Sequence, residues 1–240
     1  MAWYKEWFGQ EYLELYAHRD EDEAGRHVDF VIKHIDGPKP HRVLDLACGA
    51  GRHSAALRQR GYEVVGADLS LALLATSPRQ PKISAGDMRN LPFRAESFDW
   101  VLNFFTSFGY FERERENFQV LEELTRLLRP HGRFMIDFLN KEQVLANLKE
   151  REVQEKKGRR IHIERWYDEA TRRINKRMRL ERPDGPSATY LESVRAYDRD
   201  EVTIGARWAG LEVDALYGNF NGEPYHRGSE RLILIGHKPL

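Results

Sequence analysis

Val43-Leu44-Asp45-Leu46-Ala47-Cys48-Gly49-Ala50-Gly51 constrains this chain more than any other stretch. An apolar run leads into a glycine turn, and Ser54–Arg60 then reads as a helix. Glycines between a strand and a helix let a ligand approach the backbone closely. The pattern around it repeats. Strands are expected at His41–Leu46, Tyr62–Asp68, Ile83–Gly86, Ser97–Phe105 and Arg133–Leu139, with helices at Glu21–Ile35, Leu71–Thr76 and Glu112–Leu128 between them. Such alternation implies a parallel sheet covered by helices on both faces.

The alternation stops after residue 140. Lys141–Lys149 reads as a short helix with Asn140 as N-cap and Gln143 completing a capping box. Runs at Arg151–Glu155, Arg160–Asp168, Arg172–Arg182 and Ala188–Ala196, the last two separated by a Pro-Asp-Gly-Pro turn, imply an antiparallel insertion. A second capping box, Asp198 with Glu201, opens helix Arg199–Ala209, and Leu211–Asn219 and Arg231–His237 are the last strands. Three units follow: 1–140, N-terminal cap helices and a ligand-binding core; 141–197, the insertion, a lid or a dimer surface; 198–240, the rest of the core.

Acidic residues at strand ends narrow the ligand. Asp45 sits where it would repel a pyrophosphate but suit a cationic amine. Asp68 closes the second strand, where an acid takes the ribose hydroxyls of an adenosine ligand. Asp87 closes the third and can accept from an adenine amino group, while the Met88 N–H meets the ring. Each aspartate alone reads as a turn or cap residue; three on successive strand ends facing one crevice do not. S-adenosylmethionine carries an amine and a sulfonium and no phosphate. Ser54 fills the third small position of the dinucleotide fingerprint, so a nicotinamide-dependent oxidoreductase stays open as an alternative on that test, with Asp45 against it.

These motifs resemble the class I S-adenosylmethionine-dependent methyltransferases: VLDLACGAG their first motif, VVGADLS their second, GDMRNLPF their third, and SFDWVLNFFTSFGYF with LLRPHGRFMIDF their fourth and fifth strands. The resemblance is close over 43–140. It implies an α/β, doubly wound Rossmann-like sheet of seven strands, order 3-2-1-4-5-7-6, the last strand antiparallel, with the β insertion after the fifth strand. It also implies S-adenosylmethionine as donor, S-adenosylhomocysteine as product, and a cofactor set of Asp45, Ala47, Gly49, Gly51, Asp68, Leu69, Asp87, Met88, Asn103 and Phe104. A looser resemblance links GDMRNL, NFFTSFGYF and the insertion to amino-sugar and glycine-type N-methyltransferases.

The acceptor is therefore expected to be a small molecule, methylated at nitrogen in preference to oxygen. Cys48 is the sole cysteine and lies in the glycine turn, which removes cytosine C5 chemistry, disulfides and thiolate zinc sites; no metal is expected. Asn103-Phe104-Phe105-Thr106 lacks the prolines of base-amine methyltransferases. Lys plus Arg and Asp plus Glu are both 38, which argues against a nucleic-acid partner. An RNA-modifying enzyme and a donor-binding module without catalysis are the remaining alternatives. Ligands in open α/β sheets bind beyond the carboxyl ends of the strands. That geometry puts Tyr16, Arg19, Tyr110, Asn140 and Tyr225 in the acceptor pocket, with Tyr110 and His226 as catalytic candidates, whereas His53 is read as packing at its helix start. No membrane segment or secretory signal is read, so a cytoplasmic monomer or homodimer is expected.

Overall fold

The computed structural model describes residues 2–16, 21–35, 41–77, 82–156, 158–182 and 185–240. Its main sheet is built from β1 (Arg42–Leu46), β2 (Glu63–Asp68), β3 (Ile83–Ala85), β4 (Phe98–Asn103), β5 (Leu128–Leu139), β10 (Glu212–Tyr217) and β11 (Arg231–His237). The strand order is β3-β2-β1-β4-β5-β11-β10, and β11 runs antiparallel to both neighbours. This is the doubly wound seven-stranded sheet expected from the sequence. The strand order reverses between β1 and β4, where such sheets open a crevice.

Side-chain alternation splits the core into two layers. Leu44 and Leu46 of β1, Val101 of β4 and Phe134 and Ile136 of β5 pack beneath helices α6 (Glu114–Leu127) and α8 (Arg199–Trp208). Val43, Trp100, Leu102 and Met135 face the other way, against α3 (Glu21–Ile32) and α4 (Arg52–Gln59). α5 (Leu71–Ala75) follows β2, with the Ser70 hydroxyl accepting from Leu73 N at its start. Asp198 and Glu201 cap α8 reciprocally, as their spacing predicts. The box expected at α7 (Lys141–Ala146) does not form. Asn140 occupies the N-cap position, but its side chain donates to the carbonyls of Arg227 and Ser229, at 3.0 and 2.7 Å.

The insertion is a separate four-stranded antiparallel sheet, β6 (Arg151–Lys156), β7 (Arg159–Asp168), β8 (Arg173–Arg182) and β9 (Gly185–Arg195). Its Ile161, Ile163, Met178 and Leu180 form a third apolar cluster with Trp7 and Leu15 from the N-terminal helices α1 (Trp3–Trp7) and α2 (Gln10–Leu15). Its basic excess is met by neighbouring acids: Arg159 by Glu14, Arg182 by Glu11 and Arg172 by Glu201. No helix among the described residues is long and apolar enough to cross a membrane.

Candidate active site

One cleft opens above the carboxyl ends of β1, β2, β3 and β4 and is roofed by α1 and α2. Its floor is the turn after β1. Ala47, Gly49 and Gly51 all adopt positive φ, at 57, 55 and 80°. Gly51 lies just outside the cleft lining, and its positive φ is what favours glycine there; a Cβ would stand 2.9 Å from Ser77 Oγ and make that side chain turn away. Ala47 holds the same conformation with a side chain, a local strain of the kind that gathers at binding sites.

Asp45 is 1% exposed, and the Ser54 hydroxyl donates to it at 2.6 Å. Among the described residues no cation pairs with it. Burial pushes its carboxyl up to about 6, although the Ser54 hydrogen bonds work against that rise. The cleft thus contains a desolvated carboxylate that no described cation ion-pairs, with the Arg58 guanidinium acting on it from a distance. Asp68 accepts from Gly49 N at 2.8 Å and from Ser70 N at 2.7 Å, tying the glycine turn to the end of β2. Its carboxyl is raised by burial against those backbone hydrogen bonds. Asp87 differs. Burial pushes it up, but Arg89 spans both its oxygens, with Nη2 at 2.6 Å and Nε at 3.0 Å, and holds it below the usual range. Met88, Leu69 and Phe104 also line the cleft.

Asn103 does not. Its amide donates to Leu46 O at 3.0 Å and pins β4 to β1 just beneath the cleft. Beyond it Phe105 and Thr106 take positive φ, 58 and 55°. Buried Asp137 holds this strained pair, accepting from Phe105 N at 2.8 Å and from Arg231 Nε at 2.7 Å.

The roof is aromatic. Tyr4, Phe8, Tyr12 and Tyr16 face the cleft, and the Ser70 hydroxyl latches α1 by donating to Phe8 O at 2.6 Å. Tyr110 joins them, its ring 4.7 Å from Trp3 and stacked at 5.9 Å on Phe8. The insertion contributes no described residue to the cleft. It braces the roof instead. Trp7 Nε1 donates to Glu192 at 2.7 Å, and Lys176 donates to the Tyr16 hydroxyl at 2.6 Å. The N-terminal helices, and not the insertion expected as a lid or dimer surface, therefore cover the cleft, with the insertion behind them.

Of the expected acceptor residues, the structure brings Tyr16 and Tyr110 to the cleft. It does not bring Asn140, Tyr225 or His226 there. Asn140 is fully buried. The Tyr225 hydroxyl donates to Asn140 Oδ1 at 3.1 Å and, held up by burial and by Glu142, has its pKa pushed to about 12. His226 is exposed, and its Nδ1 accepts from Gly228 N at 3.1 Å. Asn140 ties down the loop between β10 and β11, which contributes no residue to the cleft lining. Arg19 and His18 lie outside the described residues.

His53, expected to pack at its helix start, does so and also belongs to the cleft, a role the sequence reading did not give it. It lines the cleft, lies flat on Phe104 at 3.9 Å between ring centres, and sits 3.3 Å from His27 Nδ1 through its Nε2. The available signal was its position two residues after Gly51, at the helix end nearest the ligand.

The profile of a methyltransferase domain matches residues 43–132. The chain is 30% identical over 138 residues to the putative methyltransferase YqeM of Bacillus subtilis, covering 54% of this chain and 53% of that protein. It is 29% identical over 201 residues to the cypemycin N-terminal methyltransferase of a Streptomyces species, covering 80% and 81%. Most of the curated relatives are matched over about half their length or less. A S-adenosylmethionine-dependent methyltransferase from Clostridium acetobutylicum shares the fold at TM-score 0.81 and 16% identity, over 95% of this chain and 96% of that one. The S-adenosylmethionine-bound amino pentose methyltransferase CalS10 from Micromonospora echinaspora does so at TM-score 0.70 and 21% identity, over 95% and 97%. Residues 43–132 are thus matched by a methyltransferase domain, and the whole chain shares its sheet order with solved S-adenosylmethionine-dependent methyltransferases.

Proposed function

We propose that this chain moves a methyl group from S-adenosylmethionine to a small-molecule acceptor, at nitrogen in preference to oxygen. The observation that carries the donor assignment is the buried carboxylate of Asp45, which no described residue ion-pairs, beside a glycine turn. A cationic amine there relieves the cost of burying that charge, whereas a pyrophosphate aggravates it. Asp68 meets the ribose hydroxyls with the lone pairs its two backbone hydrogen bonds leave available. Asp87 and the Met88 backbone serve the adenine, Ala47 and Gly49 let the backbone approach the methionine portion, and Leu69 and Phe104 flank it. The nitrogen preference is supported by the printed activity of the cypemycin relative and by the amino pentose enzyme that shares the fold.

S-adenosylmethionine supplies a methyl group already activated by sulfonium charge. The protein's part is then to orient the acceptor and exclude water, which the aromatic roof does. Tyr110 and His53 are the polar side chains placed on the acceptor side to orient a nucleophile or accept its proton.

Asp68→Ala tests the site. The substitution removes the ribose acceptor and frees Gly49 N and Ser70 N together, so S-adenosylhomocysteine should bind about a hundredfold more weakly by calorimetry. Unchanged affinity would show that the end of β2 does not hold the donor.

A further inference from the structure

Resting on that reading of the site, we infer that the acceptor is a neutral, flat, largely apolar amine of the aromatic type, and neither a phosphorylated sugar nor an alkylammonium ion. Every carboxylate among the described cleft residues, Asp45, Asp68 and Asp87, sits at a strand end on the donor side. The remaining walls are mainly rings: Phe8, Tyr12 and Tyr16 of the roof, and Phe105 and Tyr110 of the segment after β4. They hold no acid, and Arg52 is the one described cation among the lining residues. That guanidinium is already engaged by Glu23 at 3.1 Å. Among the described residues an anionic acceptor therefore finds no uncommitted counter-charge, and a diphosphate would be desolvated without replacement for its water.

Aromatic walls also attract cations, but here the protein's own cations flank two of those rings, Tyr16 and Phe105. Lys156 and Lys176 lie 5.8 and 5.3 Å from the Tyr16 ring centre, and Arg52 lies 5.4 Å from that of Phe105. A cationic acceptor would add a like charge to a ring system already in use. An uncharged planar body meets neither objection and gains ring-to-ring contact with Phe8 and Tyr110, whose rings are inclined to each other by 14°.

The chemistry agrees. The lone pair of a neutral aromatic amine forms the new nitrogen–carbon bond as the methyl–sulfur bond breaks. The sulfur keeps the electron pair and becomes a neutral thioether. The alkylated nitrogen is acidic and passes its proton to the His53 imidazole that lines the cleft. No strong base is needed, and none of the tyrosines has to ionise.

The test is a charge series on one scaffold. Protein saturated with S-adenosylhomocysteine is titrated calorimetrically with 4-aminobenzamide (neutral), 4-aminobenzoate (anionic) and 4-aminobenzylamine (cationic), with glucosamine 6-phosphate as the sugar comparator. The amide should bind at least about tenfold more tightly than each of the others. Tyr110→Ala should erase that preference while leaving S-adenosylhomocysteine affinity within about threefold. The inference is overturned if a charged member or the sugar phosphate binds as tightly as the amide, or if the loaded protein takes up none of the four. Failure of S-adenosylhomocysteine itself to bind is a separate result, which removes the donor reading and this inference with it.

Discussion

Asp45→Asn is expected to weaken S-adenosylmethionine binding about a hundredfold while making the ligand-free protein more stable at neutral pH. Both effects have one cause. The carboxylate is 1% exposed, and its hydrogen-bond partner is the neutral Ser54 hydroxyl. Burial lifts its pKa in the folded chain from 3.8 to about 6. Below pH 4 the group is neutral in both folded and unfolded chains, and it contributes no penalty. Between 4 and 6 the unfolded chain ionises first, and folding loses stability as pH rises. Above 6 the whole cost is present, roughly 3 kcal/mol. Asparagine keeps the Ser54 hydrogen bond and removes the charge, so thermal unfolding at pH 8 should shift upward, with little change at pH 4. A stabilising substitution that disables ligand binding marks strain kept for function. Equal stability of the two proteins at pH 8 would mean that the buried charge is already compensated.

Arg173→Ala should cost about 3 kcal/mol of folding stability and lower the melting temperature by roughly 10 °C. The side chain is 8% exposed and belongs to the insertion, yet it holds the segment after β4. Nη1 donates to Phe111 O at 2.9 Å, and Nη2 to Tyr110 O at 3.0 Å and to Gly109 O at 3.3 Å. Nε and Nη2 also donate to Ser193, at 2.8 and 2.6 Å. Alanine leaves these carbonyls buried with fewer donors, and lysine, a single point of charge, cannot replace a planar fork across three successive residues. Because Tyr110 rides on this segment, acceptor affinity should fall much further than donor affinity. Loss of both to the same extent would assign Arg173 to general stability alone. Differential scanning calorimetry with parallel ligand titrations separates the two outcomes.

The sheet and the floor of the cleft were legible in the sequence because each is written in local signals. Buried parallel strands are apolar runs, as in Phe98–Asn103, and the glycine turn and the strand-end aspartates follow from backbone geometry. Asn140 shows where local reading fails. Its spacing to Gln143 predicts a capping box, but the carbonyls of a loop almost ninety residues away compete for the amide and win. His226 failed for the same reason, since the path of the β10–β11 loop is set by Asn140, Tyr225 and Ser229 together. The aromatic roof was unreadable in a different sense. Tyr12 and Tyr16 satisfy helix-face packing equally well on any apolar surface, and only the docking of α1 and α2 between insertion and core turns that face toward the cleft.

Proton-linked calorimetry tests most directly whether the carboxylate of Asp45 receives the donor's amine. S-adenosylhomocysteine, which carries the same ammonium, is titrated in buffers of different ionisation enthalpy at pH 6 and at pH 8. At pH 6 about half of the Asp45 side chains should be protonated before binding, so pairing with the ammonium should release about half a proton per molecule bound. The release should vanish at pH 8 and be absent from Asp45→Asn at both. Equal proton exchange in the wild-type chain and Asp45→Asn, with equal affinity, would contradict the account.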